Sequence, residues 1–87
     1  MYESAIERKI INRVKAAGGV CLKWVSPGFS GVPDRIAILP GGRILFIEVK
    51  RPHGVDGKRQ PRVHALLRSL GTVVIRAEKP EDLDGYL

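Results

Sequence analysis

Phe46-Ile47-Glu48-Val49-Lys50, taken together with Asp34 fourteen residues before Glu48, decides the fold. The segment is apolar and β-branched enough to be a strand, and its side chains alternate between the two faces of a sheet. Glu48 and Lys50 therefore share one face, and Ile47 and Val49 take the other. Asp34 heads a second apolar run, Asp34 to Leu39, and Pro40-Gly41-Gly42 lies between the two. Two strands joined by such a turn form a hairpin. A three-residue turn sets Asp34 opposite Glu48, whereas a two-residue turn sets it opposite Val49, on the wrong face. In the first register, two carboxylates and an amine meet at the end of an otherwise apolar sheet.

Other elements surround this hairpin. Ile6, Ile10, Ile11, Val14 and Ala17 recur at helical spacing over residues 3–17, and Gly18-Gly19 stops the pattern. Glu7 and Glu3 fall on the apolar arc of that helix, where an unpaired carboxylate is costly. Val20 to Val25 reads as a strand and Ser26 to Pro33 as a loop rich in glycine and proline. After the polar residues 51–59, Pro61 suits the first turn of a second helix running to about Leu70. Val63, Leu66, Leu67 and Leu70 are expected to face the core, with Gln60 on the same stripe and His64 flanking it at the surface. A strand over Thr72 to Ala77 and a short helical turn within Pro80 to Leu87 complete the order. The expected architecture is α/β, in the order α-β-β-β-α-β, with a mixed four-stranded sheet flanked by helices. Residues 1–87 are read as one domain.

Composition narrows the partners. Fifteen Lys and Arg against nine Asp and Glu leave a net charge of +6, which favours a polyanion such as nucleic acid. A solvated basic surface is the plain alternative. The lone Cys21 excludes an intrachain disulfide and a cysteine-cluster zinc site, and its apolar surroundings suggest a buried free thiol in a reducing cytoplasm. No apolar run approaches the ~20 residues of a membrane span.

Two close carboxylates repel, and one takes up a proton unless a cation intervenes. Hard oxygen donors select Mg²⁺ or Mn²⁺. Such an ion polarises a phosphoryl oxygen and acidifies a bound water, and a neighbouring lysine can orient that water. Phosphodiester hydrolysis requires this combination. A cross-strand ion pair between acid and lysine is the commoner use of such a triplet when it stands alone.

The triplet does not stand alone. The order Glu7…Pro33-Asp34…Glu48-Val49-Lys50…Gln60 resembles the PD-(D/E)XK nuclease superfamily. Within it, Gly31-Val32-Pro33-Asp34-Arg35 and Phe46-Ile47-Glu48-Val49-Lys50-Arg51-Pro52 resemble the VRR-NUC family, whose stand-alone phage and bacterial members are nearest in size. The pattern Glu7-Arg8…Gly18, with Ser26 and Gly28 before Pro33-Asp34, is also similar to archaeal Holliday-junction resolvases. The resemblance runs from about Glu3 to Ala77. It implies a restriction-endonuclease-like core and a metal held by Asp34, Glu48 and the Val49 backbone carbonyl. It also implies that Lys50 positions or activates water, that Glu7 (with Glu3 as the alternative) completes the site, and that Gln60 supports it.

The function so implied is Mg²⁺- or Mn²⁺-dependent endonucleolytic cleavage of DNA, with branched DNA and above all a four-way junction as target. Candidate DNA contacts are Ser26, Gly28, Phe29 and Ser30 in the loop, with Arg35, Arg51, Lys58 and Arg59. Arg8, Lys9, Arg13, Lys15 and Arg62 are further basic candidates; Trp24 and Phe29 can stack on unpaired bases, with packing on the sheet the expected role for Trp24 and the two roles level for Phe29. A homodimer is expected, because one site per chain makes one cut and a two-fold junction needs two. The alternatives are a flap or nicking nuclease module and a non-catalytic nucleic-acid-binding domain on the same fold. The expected location is the cytoplasm of a bacterium or phage-infected cell.

Overall fold

In the computed structural model, residues 3–55, 57 and 59–87 are described, without the side chain of Glu3. The candidates Lys58 and Glu3's carboxylate thus lie outside the described residues. Helix α1 spans Glu3–Ala16, strand β1 Val20–Lys23, β2 Arg35–Leu39, β3 Arg43–Val49, helix α2 Gln60–Ser69 and β4 Val73–Ala77. A 3-10 turn at Pro80–Leu83 follows. The order matches the expectation; β1, β2 and β4 are one or two residues shorter than expected, and β3 is shifted one residue toward the N-terminus from the expected Ile44 to Lys50.

The four strands form one sheet in the order β1-β2-β3-β4. The first three pair antiparallel and β3 pairs parallel with β4, so the sheet is mixed. The hairpin register is the one that matters for the site. Leu39 pairs with Arg43, leaving Pro40, Gly41 and Gly42 as a three-residue turn. Gly41 and Gly42 both adopt left-handed backbone, with φ of 81° and 76°, which side-chain-bearing residues enter only with strain. Arg35 pairs with Ile47, so one step further along the same register Asp34 stands opposite Glu48.

Alternation then sorts the faces. Ala37, Leu39, Leu45, Ile47, Val49, Ile75 and Ala77 point toward α1, whose Ile6, Ile10 and Val14 are completely buried against them. This is the apolar stripe expected of α1. Leu83 of the terminal turn is also fully buried in this core. Arg13 of α1 reaches the Pro80 carbonyl at 3.1 Å and pairs with Asp84, tying α1 to that turn. Arg13 is therefore occupied in holding the fold together.

Helix α2 covers the opposite face, and here the expectation needs correcting. The inward stripe is Gln60, Val63, His64 and Leu67, whereas Leu66 and Leu70 are 47% and 72% exposed. His64, expected at the surface, is 4% exposed. Two polar anchors set this rotation. Gln60 bonds to Glu48 at the first turn, and Arg68 Nη2 donates to the Val74 carbonyl at 2.9 Å in the last. Positions 60, 64 and 68 lie on one side of a helix, so both anchors draw His64 inward. Cys21, expected buried, is a half-buried free thiol packed against the core, and burial pushes its pKa up.

Candidate active site

The site forms where β2 begins and β3 ends. The N–H of Val49 lies beyond the last β2–β3 pair, and Asp34 takes it: Oδ2 accepts that hydrogen bond at 2.9 Å. The Asp34 carbonyl accepts from Trp24 N–H at 2.9 Å, so the residue is held from both strands flanking β2. Trp24 itself packs on Phe46, with ring centroids 4.9 Å apart, which is the packing role rather than the base-stacking one.

Glu48 is the pivot. It is 1% exposed, an unusual burial for a carboxylate. Its Oε2 accepts a 2.7 Å hydrogen bond from Gln60 Nε2 and lies 3.2 Å from Lys50 Nζ. Its Oε1 is buried without a hydrogen bond among the described residues, 4.0 Å from His64 Nε2. Burial raises the Glu48 pKa above the usual carboxylate range, and the neighbouring Asp34 charge raises it further. Lys50 and Gln60 offset part of that rise. Gln60 is oriented in turn, since its Oε1 accepts the Gly57 N–H at 2.9 Å. The structure therefore brings Asp34, Glu48, Lys50 and Gln60 together.

Glu7 approaches from the α1 side of the same sheet end. Its Oε2 pairs with Arg35 Nε at 2.8 Å, and both side chains are largely sheltered. Glu7, Arg35, Asp34 and Val49 line one depression of about 240 Å³. Among the described residues, no three Asp, Glu, His or Cys side chains are gathered closely enough to hold a metal ion. Asp34 and Glu48 are thus a two-carboxylate set, with Glu7 engaged beside them.

Two comparisons with known proteins bear on this arrangement. A protein of Acyrthosiphon pisum secondary endosymbiont phage 1, described as "Putative nuclease p44", is 42% identical over 85 residues, covering 98% of this chain and 90% of the relative. A solved structure described as a VRR_NUC domain superposes with a TM-score of 0.87 at 32% identity, over 94% of this chain and 89% of that one. The chain belongs to the VRR-NUC family. No family model matches it.

This VRR-NUC chain carries its basic and loop candidates in different states. Arg35 is committed to Glu7, whereas Arg51 is exposed. Arg59 donates to Ser30 Oγ at 3.2 Å, which binds the 26–33 loop to the start of α2. Gly31 makes that junction possible: a Cβ there would lie 2.9 Å from Val63 Cγ2 and 3.1 Å from Arg59. Phe29 and Ser30 line a cavity of about 460 Å³ together with Lys50, Arg59 and Gln60. No described helix is long and apolar enough to cross a membrane.

Two side chains near Glu48 escape a reading of the sequence. His64 is one, and counting four residues on from Gln60 was the available signal. Arg76 is the other. It stands opposite Glu48 in the parallel β3–β4 register and bonds both Glu78 and the Gly54 carbonyl, holding the loop that follows Lys50. No sequence signal reveals a parallel register across a helical crossover.

Proposed function

We propose that this VRR-NUC chain is a Mg²⁺- or Mn²⁺-dependent DNA endonuclease that acts on branched DNA, four-way junctions first, as a two-fold dimer. The observation that carries the catalytic reading is the Glu48 carboxylate: buried, close to the Asp34 charge, and with one oxygen that has no hydrogen bond among the described residues. Such an arrangement is unfavourable for the protein alone and suits a hard cation. Mg²⁺ is commonly bound by one or two carboxylates, with waters and substrate phosphates completing its shell, so a two-carboxylate set is adequate. Asp34, Glu48 and the Val49 carbonyl would hold the ion, with Glu7 next to them. When bound, it supplies charge to a phosphoryl oxygen and a more acidic water.

The chain's own residues do the rest. Asp34 is fixed by the Val49 N–H, and Gln60 holds the Glu48 carboxylate in its rotamer. Lys50, 14% exposed and 3.2 Å from Glu48, would orient or activate the attacking water, or offset charge on the phosphate. Purely binding phosphate would gain nothing from two added carboxylates, which disfavours the non-catalytic alternative. Glu7 shares its depression with Asp34, so Glu7→Gln should weaken metal-dependent cleavage more than Glu3→Gln does. The reverse order in parallel rate measurements would assign the helical acid to Glu3.

The dimer reading rests on the uncovered half of the α2-side sheet face. Val20, Leu22, Ile38 and Ile44 are 39–49% exposed there, and the pairings Val20↔Ile38 and Ile38↔Ile44 make them contiguous. Apolar patches of this kind commonly mark association surfaces. Two chains about a two-fold axis also supply the two cuts that resolving a four-way junction needs. Sedimentation at micromolar protein should give twice the chain mass, and Leu22→Glu with Ile38→Glu should give one. A cruciform plasmid should be linearised in one binding event. A monomeric wild type that accumulates nicked circles would instead favour a flap or nicking nuclease.

A further inference from the structure

Next to the cavity containing Lys50 and Gln60 lies a second one, of about 390 Å³, roofed by the 26–33 loop and floored by α2. Its apolar walls are Phe29, Val63 and Leu66, with Arg59 and Arg62 at its edge. Phe29 is 52% exposed and Leu66 47%, so neither is consumed by the core. Phe29, Ser30 and Arg59 line both cavities, which makes the two continuous. No acidic side chain lines either one among the described residues.

We propose that this second cavity takes an unpaired nucleobase of the DNA strand, stacked on Phe29, with the adjoining phosphates against Arg59 and Arg62. The inference rests on the nuclease reading for its choice of DNA and goes beyond it by assigning a base site. The occupant must be flat and apolar yet joined to an anion, because aromatic and aliphatic walls are combined with a purely basic edge. A base with its phosphate meets both requirements, and aromatic stacking accepts any base. The site is also built in advance. Arg59 is clamped to Ser30, and Gly31 lets the loop press on Val63 and Arg59, so the walls are fixed relative to one another. A base held there would sit in the cavity adjoining the one that Lys50 lines, which would bring a branch that carries or exposes unpaired bases beside the cutting site without a sequence-reading module.

Binding measured by fluorescence anisotropy with Ca²⁺ in place of Mg²⁺ tests this without any cleavage. The probes are a labelled fork with unpaired arms and a fully paired duplex of the same length. Wild type should prefer the fork. Phe29→Ala should reduce fork affinity about tenfold or more with little change for the duplex, and Phe29→Tyr should restore it. Arg62→Ala should weaken both probes and lower the salt dependence. Phe29 is exposed, and unchanged melting of Phe29→Ala will show that the fold is kept. Retained fork preference in Phe29→Ala would overturn the base site. A fall to monomeric mass in Phe29→Ala would also overturn it, by making this cavity a contact between copies. Fork preference that depends on Phe29 in a protein that cuts nothing with Mg²⁺ would leave the base site standing and remove the nuclease reading.

Discussion

Asp34→Asn, Glu48→Gln and Lys50→Ala should each lower metal-dependent cleavage by about 10²–10⁴-fold while DNA binding stays within roughly tenfold of wild type. The two carboxylate variants keep the shape of the site. Asparagine at 34 can still accept the Val49 N–H, and glutamine at 48 can still meet Gln60, so a loss of rate reports lost charge rather than lost structure. Their binding should stay level or tighten, because each removes a negative charge next to a phosphate. Lys50→Ala differs: it removes a cation, so it alone should also weaken binding modestly. Single-turnover rates and anisotropy on the same four-way junction separate the two effects. Retained turnover in Asp34→Asn with metal present would contradict the assignment.

The metal should also act on stability. Burial and Asp34 hold the Glu48 pKa above its unfolded value. The folded state therefore keeps a proton that the unfolded state has released, over the window from the ordinary carboxylate range up to the raised value. Stability without metal falls as pH rises through that window, and the penalty is fully present above it. Asp34→Asn removes one cause of the rise, so metal-free Asp34→Asn should melt higher than wild type at neutral pH and lose less stability as pH rises above the ordinary carboxylate range. Mg²⁺ should reverse the ranking. At about ten times its Kd, a ligand specific to the folded state contributes about 1.4 kcal/mol, or roughly 6–11 °C in Tm for a domain of this size. Asp34→Asn should show less than a third of that rise. Equal rises in both proteins would place the ion elsewhere.

The sequence carried most of this site because its informative contacts are local. The Asp34–Glu48 register depends on whether the turn has two or three residues, a choice that Pro40-Gly41-Gly42 left open in the sequence and that the Leu39–Arg43 pairing decides in favour of three. The α1 core face was legible because Ile6, Ile10 and Val14 leave no competing apolar side. Helix α2 was not, because Leu66 and Leu70 give it a second apolar flank, and the polar anchors Gln60 and Arg68 choose between the two. Hydrophobic periodicity does not register a choice made by hydrogen bonds, so His64 was assigned to the wrong side. The Glu7–Arg35 pair was half legible: an acid on an apolar arc needs a partner, but the partner comes from a strand 28 residues away.

Cleavage of a labelled four-way junction by wild type and Glu48→Gln, with Mg²⁺ and with chelator, tests the central claim most directly. Wild type should cut opposed strands near the branch in Mg²⁺ and stop in chelator, while Glu48→Gln binds the junction and leaves it intact in both. Cutting that persists in chelator, or that survives in Glu48→Gln, would contradict a metal-dependent site built on Asp34, Glu48 and Lys50.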